Sequence, residues 1–172
     1  MKVKGILGVI SEINSLKKKK VIKDYAIGGG IAKNYYLEPQ ATYDLDIFIL
    51  IDAMENFHNI YSYFRQRKCK IENVFIVIKD VPVQFLPTFI HPLFEEAVKK
   101  SKKIKVNGVR TKILTAEYLI ATLLISVREK DKFAIKELLS FADMDLLKRL
   151  LRKFDDKQYP IYARFKKIAE KR

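Results

Sequence analysis

The chain has 172 residues, of which 49% are hydrophobic and 31% charged, and its formal net charge is +14 at pH 7. This length predicts one domain that buries about two thirds of its unfolded surface, and the composition excludes wholesale disorder. The single cysteine, Cys69, excludes an intrachain disulfide and a cysteine-based metal cluster, and no apolar run is long enough to span a membrane.

The first predicted element is an amphipathic helix from about Val3 to Lys19, because apolar side chains recur there at helical spacing. The lysines from Lys17 to Lys20 would complement the helix dipole, which favours a helix end over a nuclear-localisation signal. This pattern is also the opposite of a secretory leader, which has a basic start and a continuous apolar centre. We therefore expect a cytoplasmic protein.

A glycine-rich junction follows. Tyr25 to Ile27 predicts the end of a buried strand, Gly28 to Gly30 a turn, and Ile31 to Leu37 a short helix that Pro39 stops. Glycines at a strand-to-helix junction let backbone N–H groups approach a phosphate, and the positive end of the helix dipole favours its charge. The pattern predicts a phosphate cradle, and a plain turn is the alternative.

The next run, Asp44 to Ile51, is apolar on both faces except at two aspartates, which predicts an interior strand. Because alternate strand residues point the same way, Asp44 and Asp46 should share one face. Two close carboxylates resist burial unless a divalent cation neutralises them. Magnesium carrying a nucleoside triphosphate is the candidate ligand, and a strand-start turn is the alternative.

Further along the chain, Asp52 to Glu55 has the spacing of a capping box, which predicts a helix after it. Two strands, Asn73–Ile78 and Val81–Leu86, flank a hairpin turn at residues 79–80, and a second hairpin turns at Asn107-Gly108. His91 begins a short helix that runs through Val98. We interpret His91 and His58 as structural, because neither has a second His or Cys nearby to complete a zinc set.

From Thr115 the pattern becomes helical, and three more helices are predicted at Asp131–Leu139, Asp143–Phe154 and Gln158–Glu170. Asp143-Met144-Asp145 repeats the Asp-x-Asp letters, but it precedes an amphipathic run and is interpreted as a helix N-cap. The chain therefore divides into a predicted α/β core, residues 1–114, and a C-terminal helical subdomain, residues 115–172.

A strand that ends in Gly-Gly, a short helix and an Asp-x-Asp that opens the next strand resemble the nucleotidyltransferase superfamily. Four further motifs resemble a group of small, largely uncharacterised prokaryotic members, akin to the minimal nucleotidyltransferases and to the toxin halves of abortive-infection systems. These motifs are TYDLDIF (42–48), VPVQFLP (81–87), PLFEEAV (92–98) and TAEYLIATLL (115–124). The resemblance covers about Lys23 to Leu151.

The resemblance implies a mixed β-sheet flanked by helices with a C-terminal helical bundle. It also implies that Asp44 and Asp46 bind Mg²⁺ or Mn²⁺ and that Gly28 and Gly29 hold the phosphates of a nucleoside triphosphate. The acceptor would be RNA, a protein or a small molecule. In a toxin system a cognate antitoxin would be a partner. An inactive nucleotide- or RNA-binding module is the alternative function.

Gln84 stands where many active members of the superfamily carry a third carboxylate. A neutral amide can supply a ligand oxygen, but it cannot offset metal charge or accept a proton from an incoming hydroxyl. Asp80, Glu95 and Glu96 are candidates to replace that carboxylate in space.

Several basic residues are candidates for contacts with phosphate. Arg128, Lys130 and Lys132 lie between two predicted helices and would reach a triphosphate if the helical part folds over the cleft. A solvated helix junction is the alternative for these three residues. The densest basic stretch, from Lys99 to Lys105, is compatible with nucleic-acid contact or with ordinary solvated surface.

Overall fold

The computed structural model describes residues 3–126 and 128–169. In these ranges the helices are α1 (Val3–Lys18), α2 (Gly29–Tyr36), α3 (Met54–Gln66), α4 (Pro92–Lys99), α5 (Ala116–Ser126), α6 (Glu129–Leu138), α7 (Met144–Lys153) and α8 (Ile161–Ala169). The strands are β1 (Asp24–Ile27), β2 (Leu45–Leu50), β3 (Ile71–Glu72), β4 (Phe75–Ile78), β5 (Val81–Pro87), β6 (Lys102–Val106) and β7 (Val109–Ile113). Among the described helices, none combines the length and the apolar character that crossing a bilayer requires.

The strands form one seven-stranded sheet in the order β3-β4-β5-β2-β1-β7-β6. The central strand β2 pairs antiparallel with β1 and parallel with β5, and β1 pairs parallel with β7. The position of β2 explains why its sequence is apolar on both faces. The sheet is mixed and helices flank it, which confirms the predicted fold class.

Both predicted hairpins are present, and each turns through two residues with positive φ. The φ angles are 51° at Lys79 and 63° at Asp80, then 46° at Asn107 and 83° at Gly108. Two successive positive φ angles are the signature of the turn whose twist matches that of the flanking strands. Asn107-Gly108 is the pair that such a turn prefers, so the sequence signal was strong there.

Helices α1 and α4 cover opposite faces of the sheet. Tyr25 of β1 reaches α1, where its hydroxyl donates a 2.8 Å hydrogen bond to Asn14. The residue after Tyr25 pairs with Phe48 of β2, and the ring centroids of Phe48 and Phe94 in α4 are 4.8 Å apart. Successive strand residues point to opposite faces. Asp46, two residues before Phe48, therefore lies on the face covered by α4.

The C-terminal helices pack onto that same side of the molecule. Every residue of α5 from Ala116 to Leu124 is buried, and α5 contacts α2 and α4 as well as α7 and α8. The buried apolar residues of the sheet and of these helices form one continuous core cluster. The boundary predicted after Leu114 coincides with the end of the last strand, β7. The division into two subdomains stays a prediction.

Two local predictions were wrong. The helix after the glycines begins at Gly29, not at Ile31, so the glycines form its first turn. The capping box predicted for α3 does not form, because the N-cap residue is Ala53 and makes no side-chain cap bond. Asp52 instead pairs with Lys23, whose Nζ lies 2.5 Å from its Oδ1.

The C-terminal helix boundaries also differ from the prediction. Helix α6 begins at Glu129, two residues before the predicted Asp131. Helix α8 begins at Ile161 because the preceding residues form a turn, in which Asp156 Oδ1 accepts a 2.6 Å hydrogen bond from the backbone N–H of Tyr159. The predicted end at Glu170 lies outside the described residues, and the short strand β3 was not predicted.

Candidate functional site

The glycine turn is pressed against one of the two predicted metal-binding carboxylates. Gly28 immediately follows the last residue of β1. Its N–H donates a 2.9 Å hydrogen bond to the backbone oxygen of Asp46. Gly29 has a φ of +54°, and a Cβ built on it would lie 1.7 Å from Asp46 Oδ2. A Cβ on Gly30 would lie 2.5 Å from Thr42 Oγ1. These glycines therefore do more than turn the chain, since they allow the close approach of acidic and hydroxyl side chains.

Asp44 and Asp46 line the same pocket, which has a volume of about 240 Å³. Asp46 is the second residue of β2, and Asp44 lies immediately before that strand. The pocket also includes Gly30 and the loop that runs from α2 into β2. The glycine turn and the two aspartates thus meet at one cleft.

The environment of Asp46 disfavours its charged form. Burial and then the neighbouring charge of Asp44 raise the pKa of Asp46 to about 6, against the partial opposition of Arg128 and Lys33. Within the described part of the chain, no side chain donates a hydrogen bond to this carboxylate. At neutral pH the ionised carboxylate therefore lacks a direct partner, and a bound cation would supply one.

Two cationic side chains, here called the cationic wall, also line the pocket. Lys33 and Arg128 line it together with Asp44 and Asp46. Lys33 Nζ lies 3.0 Å from Asp131 Oδ1, and Arg128 Nε donates a 2.8 Å hydrogen bond to Asp131 Oδ2. The side chain of Asp131 is fully buried. It therefore holds the two cations beside the cleft and connects the start of α6 to α2.

Sequence reasoning had missed Lys33 and Asp131. Lys33 lies four residues after Gly29, which is one helical turn, so the spacing could have placed it at the cleft. No comparable signal existed for Asp131, because it was interpreted as the start of a helix. Arg128 was predicted and lines the pocket, whereas Lys132 pairs with Glu129 in the structure. The side chain of Lys130 lies outside the described part of the structure.

Gln84 lies beside Asp46 but not on the pocket wall. In the parallel pairing of β2 with β5, Asp46 is the register partner of Gln84, so both side chains point to the same face. Gln84 is half-buried and is not among the residues that line the 240 Å³ pocket. On its other side, Gln84 pairs with Phe75 of β4.

None of the three candidate substitutes for a third carboxylate reaches the site. Asp80 lies in the β4–β5 turn, and Glu95 pairs with Lys99. Glu96 accepts a hydrogen bond from Tyr118 and pairs with Lys153, so it joins α4 to the C-terminal helices. Among the described residues, no group of three or more His, Cys, Asp or Glu side chains could hold a metal ion.

Known structures share this architecture. No protein-family model matches the sequence, and no curated protein matches it. The crystal structure of an antigenic nucleotidyltransferase-like protein from Paracoccidioides brasiliensis is similar over 100% of this chain and 90% of that chain, with a TM-score of 0.67 and 15% identity. The chain has the nucleotidyltransferase fold.

Two structures of ANT(2″)-Ia share the nucleotidyltransferase fold with this chain. The complex with adenylyl-2″-tobramycin has a TM-score of 0.53 and 12% identity, and covers 86% of this chain and 95% of that one. The solution structure of this antibiotic-resistance factor also has a TM-score of 0.53, at 11% identity, and covers 95% of both chains.

The donor set at this cleft of the nucleotidyltransferase fold suits magnesium. Mg²⁺ is typically bound through one or two protein carboxylates, with substrate phosphates and water completing its shell. Asp44 and Asp46 supply such a pair, and burial beside Asp44 raises the pKa of Asp46, so a bound cation would favour its ionised form. The residues present therefore fit a divalent metal without a third carboxylate, provided that a phosphate joins the shell.

None of the residues interpreted as structural lines the 240 Å³ pocket. His91 Nδ1 accepts a 3.1 Å hydrogen bond from the backbone N–H of Leu93 and so caps α4. His58 is exposed on α3. Asp143, in the second Asp-x-Asp, accepts 2.9 Å hydrogen bonds from two backbone N–H groups in the first turn of α7. The nucleotidyltransferase fold therefore separates two identical motifs, of which only the first lies at the cleft.

Proposed function

We propose that this protein transfers a nucleoside monophosphate from a nucleoside triphosphate to an acceptor and releases pyrophosphate. The acceptor oxygen bonds to the α-phosphorus as the bond from that phosphorus to the β-phosphate oxygen breaks. The proton of an acceptor hydroxyl passes to solvent. The observation that carries the proposal is the close approach of Gly29 to Asp46, because it sets the glycine turn at the start of α2 against one of the two carboxylates that line the pocket.

Each part of the pocket has a role in this proposal. The backbone N–H group of Gly29 would orient the phosphates at the N-terminal end of α2. The N–H of Gly28 already donates to the backbone oxygen of Asp46, so Gly28 would serve by holding the turn against β2. Lys33 and Arg128 would offset phosphate charge in the same pocket, where the buried carboxylate of Asp131 holds both side chains. A contribution from Lys130 remains a prediction.

Asp44 and Asp46 would hold one or two Mg²⁺ or Mn²⁺ ions. A bound divalent ion would neutralise the charge that develops on the phosphates and orient the α-phosphate. The ion would thereby offset both the burial and the neighbouring charge of Asp44 that raise the pKa of Asp46. Binding of metal and triphosphate should accordingly be cooperative, because the positive charge of the metal and the negative charge of the triphosphate neutralise each other in the pocket.

A second candidate function is a module that binds nucleotide without turnover. Gln84 favours it, because an amide in register with Asp46 stands where the third carboxylate is expected and cannot accept a proton. A toxin–antitoxin role, an RNA or protein acceptor and a cytoplasmic location remain predictions from the sequence. The bound adenylyl-2″-tobramycin of ANT(2″)-Ia is a reason to include small-molecule hydroxyls among the acceptors.

The test is incubation with each α-labelled nucleoside triphosphate and Mg²⁺ or Mn²⁺, in the presence of an RNA extract, a protein extract or aminoglycosides. We expect label transfer that the double variant Asp44→Ala/Asp46→Ala abolishes. The matched control is Asp143→Ala/Asp145→Ala, which removes the same letters from a helix cap at a cost of about 1 kcal/mol and should retain transfer.

Binding of triphosphate without transfer would favour the second candidate. The proposal would be wrong in both forms if the folded double variant of the first motif bound metal and triphosphate as tightly as the parent.

A further inference from the structure

The hairpin at the β6 edge of the sheet carries positive charges that face one another. The antiparallel register of β6 and β7 sets Lys103 opposite Lys112 and Lys105 opposite Arg110. Like charges directly opposite each other in a sheet are destabilising, and period two places all four residues on one face of the hairpin. The free protein therefore maintains an unfavourable arrangement at this edge.

Only part of this charge is compensated within the protein. Asp24 pairs with Lys112 and also with Lys17 of α1. Lys103, Lys105 and Arg110 are exposed, and no ion pair connects any of them to an acidic residue in the described ranges. A polyanion would convert their mutual repulsion into attraction.

A groove lies along the same hairpin on the side that faces α1, where Thr111 of β7 contacts Tyr25. Its volume is about 460 Å³, and its walls include Asn14 and Lys17 of α1, Tyr25 of β1, and Lys103, Lys105 and Arg110. The groove is larger than the 240 Å³ pocket that holds the two aspartates. It also lies at the other end of β1, because Tyr25 is near the start of that strand and the glycine turn follows its end. The basic groove is thus a separate feature from the candidate active site.

Exposed aromatic rings lie beyond the end of β6 that is nearest the cleft. Lys102, the first residue of β6, lies with its Nζ 5.4 Å from the ring centroid of Tyr35. Tyr35 belongs to the last turn of α2 and is 43% exposed, and the nearby Phe141 is 52% exposed. The ring of Tyr36 contacts both of these aromatic side chains. Cations on a strand and solvent-facing rings beside them are the two components of a single-strand binding surface.

We propose that single-stranded nucleic acid docks along β6, with its phosphates against Lys103, Lys105 and Arg110 and one base stacked on Tyr35. Alternate strand residues are about 6.8 Å apart, close to the separation of neighbouring phosphates in an extended strand. An unpaired base can stack on an exposed ring, whereas a duplex keeps its base faces covered. This docking goes beyond the proposed transfer reaction, because it requires neither a triphosphate nor a metal.

The path has a direction. Tyr35 and the glycines belong to the same helix, α2, which begins at Gly29 in the cleft. A strand bound along β6 from the hairpin turn to Lys102 therefore runs toward that helix. Lysines on an edge strand also prevent that strand from pairing with other chains. That role does not require basic residues on both strands of the hairpin or an exposed aromatic ring at the end of β6.

The experiment measures the binding of a fluorescein-labelled 12-nucleotide RNA of mixed sequence by anisotropy, without triphosphate and with EDTA, over a range of salt concentrations. Two triple variants with the same net charge are compared with the parent. The hairpin variant is Lys103→Gln/Lys105→Gln/Arg110→Gln, and the control is Lys18→Gln/Arg65→Gln/Lys157→Gln, which changes exposed cations elsewhere.

We expect the hairpin variant to reduce the slope of log affinity against log salt by about 2, since each phosphate contact to a single strand contributes roughly 0.7. The control should change the slope by much less. The hairpin variant should also melt at or above the parent temperature, because it removes like-charge pairs. A weaker complex from a protein of equal or greater stability cannot be explained by misfolding.

Tyr35 provides an independent arm of the test. Tyr35→Ala should weaken binding by about tenfold with an unchanged salt slope, as expected for loss of one base stack, and Tyr35→Phe should bind like the parent. The proposal is overturned if the parent fails to bind RNA at low salt or if both triple variants lose affinity equally. It is also overturned if a duplex or an acidic polypeptide binds the hairpin more tightly than the single strand.

Discussion

Replacing Asp46 by Asn tests whether the ionised Asp46 side chain lowers the stability of the metal-free protein, as expected for a carboxylate whose role is to bind a ligand. Burial and the charge of Asp44 raise the pKa of Asp46 from 3.8 to about 6. Each pKa unit corresponds to about 1.4 kcal/mol, so the ionised carboxylate destabilises the metal-free protein by on the order of 3 kcal/mol. Asn has the same shape and no charge. At pH 7.5 with EDTA, we expect Asp46→Asn to raise the melting temperature by about 6 to 12 °C, at 2–4 °C per kcal/mol.

The sign of the pH dependence follows from the direction of the shift. Between about pH 4 and 6 the folded protein binds more protons at Asp46 than the unfolded chain does, so its stability falls as the pH rises through this window. The advantage of Asp46→Asn should therefore be absent below pH 4, about half its full value at pH 5 and complete above pH 6. Thermal melts in EDTA at pH 4, 5 and 7.5 measure this series.

Metal should close most of the difference in stability between the two proteins. A metal at 100 times its dissociation constant stabilises the form that binds it by about 2.7 kcal/mol, so Mn²⁺ with triphosphate should raise the melting temperature of the parent and not of Asp46→Asn. Asp145→Asn, in the helix-capping copy of the motif, is the control and should respond to metal like the parent. The reasoning is refuted if Asp46→Asn is less stable than the parent at pH 7.5 in EDTA, or if its advantage does not depend on pH.

Three further predictions concern neighbouring positions. Gly29→Ala should abolish Mn²⁺ binding because its Cβ meets a carboxylate, whereas Gly108→Ala, at a φ of +83° with open space around it, should cost only about 1–2 kcal/mol and leave calorimetric Mn²⁺ titrations unchanged. Gln84→Asp should melt at a lower temperature than the parent in EDTA, bind Mn²⁺ more tightly and increase label transfer. If this variant is less stable than the parent both in EDTA and in Mn²⁺ and binds Mn²⁺ no more tightly, Gln84 does not belong to the site. Asp131→Asn should cost about 3–5 kcal/mol, because it leaves two cations without their buried partner, and should weaken triphosphate binding in isothermal titrations. Unchanged triphosphate affinity would show that the cationic wall does not contact phosphate.

The features of the fold and of the candidate site that depend on local sequence patterns were predictable. An apolar run interrupted only by Asp44 and Asp46 indicates an interior strand because burial on both faces demands apolar residues. The hairpin at Asn107-Gly108 was predictable because few residue pairs accept two positive φ angles. The position of Gln84 opposite Asp46 was anticipated only through the family resemblance, since periodicity alone does not determine the order of strands in a sheet.

The remaining features depend on contacts between distant parts of the chain. Lys33 and Asp131 are 98 positions apart, and nothing local distinguishes Asp131 from an ordinary acid in the first turn of a helix. Asp52 illustrates the converse, since its spacing to Glu55 is that of a capping box, yet an ion pair with Lys23 takes its carboxylate. Local capping signals compete with tertiary partners, and the winner is decided by which group the fold brings within reach.

The contact between Gly29 and Asp46 constrains how this chain can diverge. A side chain at position 29 and an acid at position 46 cannot occupy the same space, because the first atom of that side chain would lie 1.7 Å from a carboxylate oxygen. The two positions should therefore change together among homologues, with the glycine retained only as long as the acid is needed. A homologue that carries a larger side chain at position 29 is expected to hold the acid at position 46 in a different position or to have lost it, so the two positions inform each other only when they are compared together.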